Sequence, residues 1–311
     1  MIKLSPQILV SIEVGAYPMK AATFDYVRAE NLEHALSVLE EVGSESKLIA
    51  GGQSLVPMMA MRFARPSLLI DINRLDELKQ LTQDGETIRF GACIRQRDIE
   101  FNSSLDKTVP LVKKALNWVG HSQTRNRGTI GGSLSFADPS AELPLAAQVL
   151  GATMHLESAS SGVRSVEAND FFLGPMYTAL AETECLVAID FPVWGGSGIG
   201  TAFTEVAMRK GDFAIASAAC QLQVDSQGIV KRIAFGAGGV NGAPKAFPQL
   251  AEKIVGKALT TQLAQEIANE AIEQCDPGSD THNTAQFRKS LGATLLARVL
   301  IEALENAMGN K

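Results

Sequence analysis

The sequence has few residues that could bind a metal or an iron–sulfur cluster. Its 311 residues include four cysteines and four histidines. Cys93, Cys185, Cys220 and Cys275 share no C-x-x-C spacing, and the histidines are equally dispersed. This spacing argues against an iron–sulfur cluster or a structural zinc site. We therefore predict no metal site and no catalytic residue in this chain, and free buried thiols of a reducing compartment.

Positive charge and long apolar segments are also scarce. The formal net charge is −6, which argues against non-specific binding to nucleic acid or to anionic membranes. No apolar run approaches the roughly 18 to 20 residues that a membrane span needs, and there is no signal-peptide pattern. With 46% hydrophobic and 20% charged residues, the composition is typical of a globular protein, which we expect to be cytoplasmic.

Residues 128–142, here called the second glycine stretch, carry the most informative pattern. Gly131 and Gly132 lie between small hydroxyl residues, and glycine lets another group approach the backbone closely. Asp138, followed by proline, predicts a helix start with Glu142 in the first turn. A glycine turn before a helix N-terminus can hold a phosphorylated ligand, although this spacing is neither a dinucleotide fingerprint nor a P-loop. A turn and a helix cap without any ligand explain the pattern equally well.

Residues 47–57, here called the first glycine stretch, repeat the arrangement upstream. A short apolar strand reaches Ile49 and continues into Gly51 and Gly52, a polar pair, and Pro57, at which we predict another short helix. Each stretch therefore offers unshielded amide donors. Together they can bind a pyrophosphate from two sides.

The pattern along the chain predicts an extension and three structural units. Residues 1–18 fit poorly with the pattern of the remaining chain and are interpreted as an N-terminal extension. Residues 19–74 form a small α/β unit, and residues 75–194 an antiparallel sheet with helices on one face. A Gly-Gly-Ser-Gly linker precedes residues 200–308, which are predicted to be an α+β unit with three strands and then helices.

Local signals within these units predict individual elements. Asn31 is a good N-cap for a helix that ends at Gly43. Strands at 152–157 and 163–166 are expected to pair as a hairpin. A long helix with an apolar stripe is expected from Ala285 to about residue 308.

Two segments that contain these glycines resemble the FAD-binding medium subunit of molybdenum hydroxylases. They read AGGQSLVP from Ala50 and RGTIGGSLSFADPSAELP from Arg127. This family includes carbon monoxide dehydrogenase, xanthine dehydrogenase and the bacterial nicotine, quinoline and caffeine dehydrogenases. Further matches lie at 171–178, 184–192 and 209–214, so the resemblance extends over essentially the whole chain.

The resemblance implies an α+β fold, with a two-subdomain FAD-binding domain of the vanillyl-alcohol-oxidase (PCMH) type and a C-terminal α+β domain. Backbone amides of the first glycine stretch would wrap the pyrophosphate, and amides and hydroxyls of the second would hold its other side. The acid at the end of the second stretch, Glu142 or as the less favoured alternative Asp138, would bind the ribose hydroxyls or the adenine, and a lysine would lie near the isoalloxazine. The residues expected to bind FAD are Ile49, Ala50, Gly51, Gly52, Gln53, Ser54, Leu55, Val56, Thr129, Ile130, Gly131, Gly132, Ser133, Asp138, Glu142, Leu186 and Lys210.

For four residues, a second interpretation of their role remains open. Leu186 can simply be a core residue of a strand, and Lys210 can be a solvated surface charge. Tyr177 can gate the flavin or merely anchor its loop. Phe136, where many members of the family carry histidine, can lie against the cofactor or fill the core.

By the same resemblance, the chain is an oxidoreductase component, the FAD-carrying electron-transfer subunit of a heterotrimeric molybdenum hydroxylase. A large partner subunit with molybdopterin would hydroxylate the substrate, and a small partner subunit with two [2Fe–2S] clusters would pass electrons to the FAD. The flavin would then reduce an external acceptor. The assembly is expected to be a dimer of heterotrimers.

Two other functions remain open. A self-contained FAD oxidase or dehydrogenase would bind its own substrate between the domains and would work without partners. A scaffold that has lost its flavin would keep the fold for assembly only. The intact glycines at 51, 52, 131 and 132 argue against this scaffold.

Overall fold

The computed structural model describes residues 20–309, so the predicted extension at residues 1–18 lies outside the described residues. The first unit is a three-stranded parallel sheet in which the third strand is central. Its main elements are β1 (Asp25–Arg28), α1 (Leu32–Val42), β2 (Ser46–Ile49), α2 (Leu55–Ala60) and β3 (Leu68–Asp71).

The predicted helix of this unit is confirmed with its caps. Asn31 accepts a hydrogen bond from the N–H of His34 at 2.7 Å, and Gly43 follows the last helical residue with a φ of 62°. The buried side chains of α1 belong to a small hydrophobic core with Ile70 of β3. Helix α2 begins at Leu55 and not at Pro57, because the N–H of Val56 already bonds to the carbonyl of Gly52.

The second unit is a five-stranded antiparallel sheet with helices packed against one face. The strand order is β4-β5-β10-β6-β7, and the predicted hairpin is confirmed as the β6–β7 pair. The elements are β4 (Leu81–Asp84), β5 (Thr87–Gly91), α3 (Gln96–Phe101), α4 (Leu105–Thr108), α5 (Pro110–Leu116), α6 (Ser122–Arg127), α7 (Ile130–Phe136), α8 (Glu142–Leu150), β6 (Thr153–Ser158), β7 (Gly162–Glu167), α9 (Ala168–Phe171), β8 (Phe172–Gly174), β9 (Tyr177–Thr178) and β10 (Cys185–Pro192).

The helix start predicted at Asp138 is wrong. Helix α8 begins at Glu142 after Ala141, while Asp138 accepts the N–H of Ser140 at 2.8 Å in a local turn. The second glycine stretch instead contains the short helix α7, which the sequence pattern did not predict. That helix ends at Ala137, whose φ of 51° is left-handed. Asp138 therefore links two helices, and its side chain satisfies the turn between them.

The third unit is an antiparallel sheet covered by helices. Its strands are β11 (Ile199–Val206), β12 (Ala216–Val224), β13 (Val230–Gly238) and the short β14 (Lys245–Ala246), paired in that order. Its helices are α10 (Pro248–Glu252), α11 (Thr261–Glu273) and the long α12 (Ala285–Ala307), of which α12 packs across β11 and β12. None of the helices within residues 20–309 is both long enough and apolar enough to cross a membrane.

The other face of this sheet packs against the second unit. Phe203 and Ala219 belong to the hydrophobic core of the second unit, although they follow the linker in sequence. A Cβ on Gly236 would lie 2.7 Å from a methyl group of Val149, so the backbone of β13 packs closely against a side chain of α8 there. The linker is also held, because the side-chain amide of Gln223 donates to two linker carbonyls at 3.1 Å each. The two units therefore share one continuous interface.

Candidate cofactor site

A cleft with a volume of about 630 Å³ is lined by residues of all three units. Both glycine stretches line it, together with the β8–β9 turn and residues 211–213. Clefts of this size are typical of sites for small molecules and cofactors. We call it the central cleft.

The first glycine stretch lines the central cleft with free backbone donors. The N–H groups of Gly51, Gly52, Gln53 and Ser54 donate no hydrogen bond to any residue in the described part of the chain. Gly52 has a φ of 71°, a backbone conformation that residues other than glycine rarely adopt. Consecutive free N–H groups around a left-handed residue form a concave donor surface for an anion. This stretch therefore fits a phosphate group.

The second glycine stretch is built differently. The N–H of Ile130 donates to Ile94 at 3.1 Å, the N–H of Gly131 donates to Ala92 at 2.9 Å, and the Gly132 N–H donates to the Thr129 side chain at 3.1 Å. The expectation that these amides are free is therefore wrong. A Cβ on Gly131 would overlap the backbone and Cβ of Ala92, so this glycine permits close packing and not a turn.

The two stretches meet at their backbones. A Cβ on Gly51 would overlap the carbonyl oxygen of Arg127 and lie 2.9 Å from the Cα of Gly128. Ser133, which lines the cleft nearby, has a hydroxyl with no hydrogen-bond partner among the described residues. The first stretch thus supplies the free amides, and the second supplies a rigid wall with at least one free hydroxyl.

Two acids lie where the second stretch ends. Glu142 is 8% exposed, lines the central cleft and is the first residue of α8. Burial raises the pKa of its carboxyl to about 7, the nearby Asp138 adds to the rise, and Arg125 opposes it. Burial likewise raises the pKa of Asp138, and the N–H of Ser140 opposes that rise. Both carboxyls line the cleft, where hydroxyl groups of a ligand could donate hydrogen bonds to them.

A third acid lies behind them on the C-terminal sheet. Glu205 of β11 pairs in register with Ser217 of β12 and is also 8% exposed. The Glu205 Oε2 atom and the Ser217 hydroxyl have no hydrogen-bond partner within residues 20–309. Burial, and then the charge of Glu142, raise the pKa of Glu205 to about 8. Two buried carboxyls in electrostatic contact resist ionising together.

The structure brings most of the predicted residues to the central cleft, with three exceptions. Ile130 is fully buried in the core, and Val56 is half exposed beside the cleft without lining it. Lys210 is exposed and does not line the cleft, whereas the following residues 211–213 do. Leu186 combines its two interpretations, since it is 4% exposed in the core of β10 and also lines the cleft.

Several lining residues were not predicted from the sequence. Gln96 is 4% exposed, and its Oε1 atom has no hydrogen-bond partner in the described chain. Met176 has a left-handed φ of 51° and donates its N–H to the carbonyl of Ala137, which is also left-handed. Further lining residues are Leu39, Ser46, Lys47, Leu48, Met58, Ile72, Ala92, Cys93, Val119, Gly120, Thr124, Gly128, Ser135, Ala141, Thr178, Leu180, Ala181, Glu182, Glu184, Cys185, Gly211, Asp212 and Phe213. Tyr177 and Phe136, for which the sequence left two interpretations open, also line the cleft.

The four cysteines lie apart from any cluster of potential metal ligands. Each is buried as a free thiol. Within residues 20–309, no group of three or more His, Cys, Asp or Glu side chains is arranged to hold a metal ion.

Comparison with known proteins identifies the family and the fold. Residues 22–194 match the family model described as FAD binding domain in molybdopterin dehydrogenase, and residues 201–303 match the CO dehydrogenase flavoprotein C-terminal domain. The 6-hydroxypseudooxynicotine dehydrogenase complex subunit alpha of Paenarthrobacter nicotinovorans is 36% identical over 294 residues, which cover 94% of this chain and 98% of that protein.

Solved structures agree with these matches. A chain of quinoline 2-oxidoreductase from Pseudomonas putida 86 superimposes with a TM-score of 0.87 at 35% identity, covering 93% of this chain and 99% of that one. A chain of carbon monoxide dehydrogenase from Hydrogenophaga pseudoflava gives a TM-score of 0.88 at 32% identity, with 92% and 99% covered.

The fold and the family matches therefore define an FAD-binding component of an oxidoreductase. The chain belongs to the family of FAD-binding medium subunits of the molybdenum hydroxylases, the group that includes carbon monoxide dehydrogenase and xanthine dehydrogenase.

Proposed function

We propose that this chain is the FAD-carrying electron-transfer subunit of a molybdenum hydroxylase. It would take electrons from the [2Fe–2S] clusters of a small partner subunit and pass them to an external acceptor. A large partner subunit with molybdopterin would carry out the substrate chemistry, in a dimer of heterotrimers. FAD, when bound, supplies the one- and two-electron transfer that links donor and acceptor.

The free amides of the first glycine stretch carry this proposal. Four consecutive N–H groups without partners among the described residues line a cleft of cofactor size, and a diphosphate has the negative charge and the acceptor oxygens to satisfy them. The crowding at Gly51 and Gly131 supports the same conclusion, because a larger residue there would push the cleft walls apart.

The other predicted residues have distinct roles in the proposal. Gly51 to Ser54 would hold the diphosphate through their amides, and Ser133 would add a hydroxyl. Glu142 would accept hydrogen bonds from ribose hydroxyls. Phe213 and Tyr177 line the cleft and are about two-thirds exposed, so they would border the part of the site that is open to solvent.

The division of labour between subunits is supported by sequence and structure. The four cysteines are scattered in sequence, and the described residues contain no group of three or more potential metal ligands, so this chain offers no set of thiolates for a cluster. Several relatives bear names that mark them as subunits or medium chains of larger enzymes. Free thiols also support a reducing compartment such as the cytoplasm. The boundaries 19–74, 75–194 and 200–308 remain our proposed units.

The visible spectrum of the purified full-length chain tests this function. We expect a flavin spectrum, release of FAD by acid, and no bleaching by organic substrates until the partner subunits are added. Bleaching by a substrate with this chain alone would favour the self-contained oxidase. A colourless chain that takes up no added FAD would contradict both the electron-transfer subunit and the self-contained oxidase, and only the scaffold without flavin would remain.

A helix cap in the second stretch allows a milder test. Thr129→Val removes the side-chain oxygen that accepts the Gly132 N–H, which is expected to lower the free energy of unfolding by about 1 kcal/mol and to weaken FAD binding. Thr260→Val, which removes the equivalent cap of α11, is the control. Urea unfolding should show similar losses in both variants. Equal FAD affinities in the two variants would contradict a role of the Thr129 cap in the site.

A further inference from the structure

Arg95 lies between the two glycine stretches and contacts a residue associated with each. Its Nη2 atom donates a hydrogen bond to Asn73 Oδ1 at 2.6 Å, and its Nη1 atom donates to the carbonyl oxygen of Arg127. The backbone of Arg95 also forms a bridge with Thr129. One planar guanidinium thus spans the two acceptors, a geometry that a lysine cannot reproduce.

The Asn73 end of this connection is tied to the start of the first glycine stretch. The Asn73 side-chain amide donates to Asp71 Oδ1 at 2.7 Å and to the carbonyl of Ile49 at 3.4 Å. The N–H of Asn73 donates to the same Asp71 oxygen at 2.8 Å. Asn73 is therefore fixed at the end of β3, beside the last residue of β2, after which the free amides begin.

The Arg127 end is the point at which the two stretches touch. The carbonyl that accepts from Arg95 is the one that a Cβ on Gly51 would overlap. Arg95 therefore orients the group that fixes how closely Gly51 can approach the second stretch. We call the connection from Ile49 through Asn73 and Arg95 to the Arg127 carbonyl the Arg95 bridge.

The Arg95 side chain is partly buried, and it does not line the central cleft. Burial, and then the neighbouring positive charge of Arg127, lower the pKa of the guanidinium, which still stays cationic at neutral pH. Arg95 can act on the cleft only through the groups it holds.

We propose that Arg95 is a positioning residue that fixes the separation of the two glycine stretches, and thereby the geometry in which the free amides meet the cofactor diphosphate. This inference rests on the proposed function. It assigns a role in cofactor binding to a residue outside the cleft.

The test is the dissociation constant for FAD of the full-length chain after removal of its flavin, measured by flavin fluorescence. Arg95→Ala is expected to raise this constant roughly 10- to 100-fold, since the lost hydrogen bonds come from a charged donor. Arg95→Lys keeps the positive charge but loses the paired N–H donors of the guanidinium, so its dissociation constant for FAD should be intermediate. Adding Asn73→Ala to Arg95→Ala should cause little further loss, because both act through the same bridge.

Arg97→Ala is the matched control. Arg97 is exposed on α3 and donates to Asn126 Oδ1 at 2.9 Å, so it also joins α3 to α6, but through a side chain and not through the carbonyl that Gly51 meets. We expect its FAD dissociation constant to stay within about twofold of the unmodified chain. Urea unfolding without FAD should shift to a similar extent in Arg95→Ala and Arg97→Ala, which separates positioning from general stability.

The outcomes distinguish the inference from the proposed function. If the unmodified chain takes up no FAD, both the proposed function and the positioning role of Arg95 are overturned. If it binds FAD and Arg95→Ala binds as tightly, or Arg97→Ala is weakened equally, only the positioning role is overturned. Should Arg95→Ala fail to fold, Arg95→Lys and Asn73→Ala carry the test, and unchanged affinity in both would overturn the inference.

Discussion

A Gly51→Val variant is expected to fold and to be purified without flavin. The added Cβ would overlap the carbonyl oxygen of Arg127 and press on the Cα of Gly128. Both atoms belong to the backbone, so no side-chain rotation can relieve the overlap. The two glycine stretches would have to separate, which moves the free amides of residues 51–54 out of position. We expect FAD affinity to fall by at least roughly 100-fold, or about 2.7 kcal/mol.

Gly278→Val is the control for this substitution. A Cβ on Gly278 meets no atom within 4 Å, and its φ is not left-handed, so the side chain enters open space. Circular dichroism should show both variants folded, and absorbance at flavin wavelengths should be lost only from Gly51→Val. Full flavin occupancy in Gly51→Val would mean that the contact between the two stretches does not shape the site.

The second large effect is expected from Glu205→Gln, in stability as a function of pH. The pKa of Glu205 rises from the usual 4.5 to about 8 on folding, because the carboxyl is buried beside Glu142. Its contribution to stability is therefore fully present below pH 4.5 and is lost as the pH rises through 8. Glutamine cannot ionise. The variant should gain on the order of 2 kcal/mol in free energy of unfolding at pH 8.5 and differ little from the unmodified chain at pH 4.5.

Urea unfolding of the full-length chain at both pH values measures this difference. Glu252→Gln, which alters an exposed carboxyl on α10, is the matched control and should change neither value. Glu142 is present in both proteins, so the comparison between variant and parent reports the burial of Glu205 together with its repulsion from Glu142. A gain that is the same at pH 4.5 and pH 8.5 would contradict burial of an ionising carboxyl at this position.

Elements with strong local signals were predictable from the sequence. Helix α1 has a side-chain N-cap at Asn31 and a glycine at its end, and both operate within a few residues of the helix. The β6–β7 hairpin likewise arises from alternating side chains around a glycine turn. In each case the residues that determine the structure are neighbours in sequence.

The structure of the second glycine stretch differs from its prediction because it depends on distant residues. Two adjacent glycines favour a turn locally, yet Gly131 lies in a helix, since only glycine can pack against Ala92. Asp138 similarly satisfies a turn and does not cap α8, which begins four residues later. Tertiary packing overrode local preference at both positions.

The candidate site was predictable only where the motifs lie. Gln96 approaches the cleft from α3, because its N–H bonds to the carbonyl of Gly128, and no periodicity indicates that contact. The segment around Lys210 reaches the cleft, but the exposed lysine lies outside it while Phe213 lines it. Motifs therefore identified segments, and the fold decided which side chains of those segments line the cleft.

The interface that contains Phe203 and Ala219 limits how the protein can be divided. A fragment that ends at Trp194 would lack two residues of its own hydrophobic core, although the cut falls at the start of a glycine-rich linker. The isolated C-terminal fragment would expose the same apolar sheet face to water. A chimera that exchanges the C-terminal unit with a relative must therefore carry the matching face of α5 and α8 along with it. When parts of this chain are exchanged with a relative, the boundary to preserve is the packed face of the C-terminal sheet and not the linker.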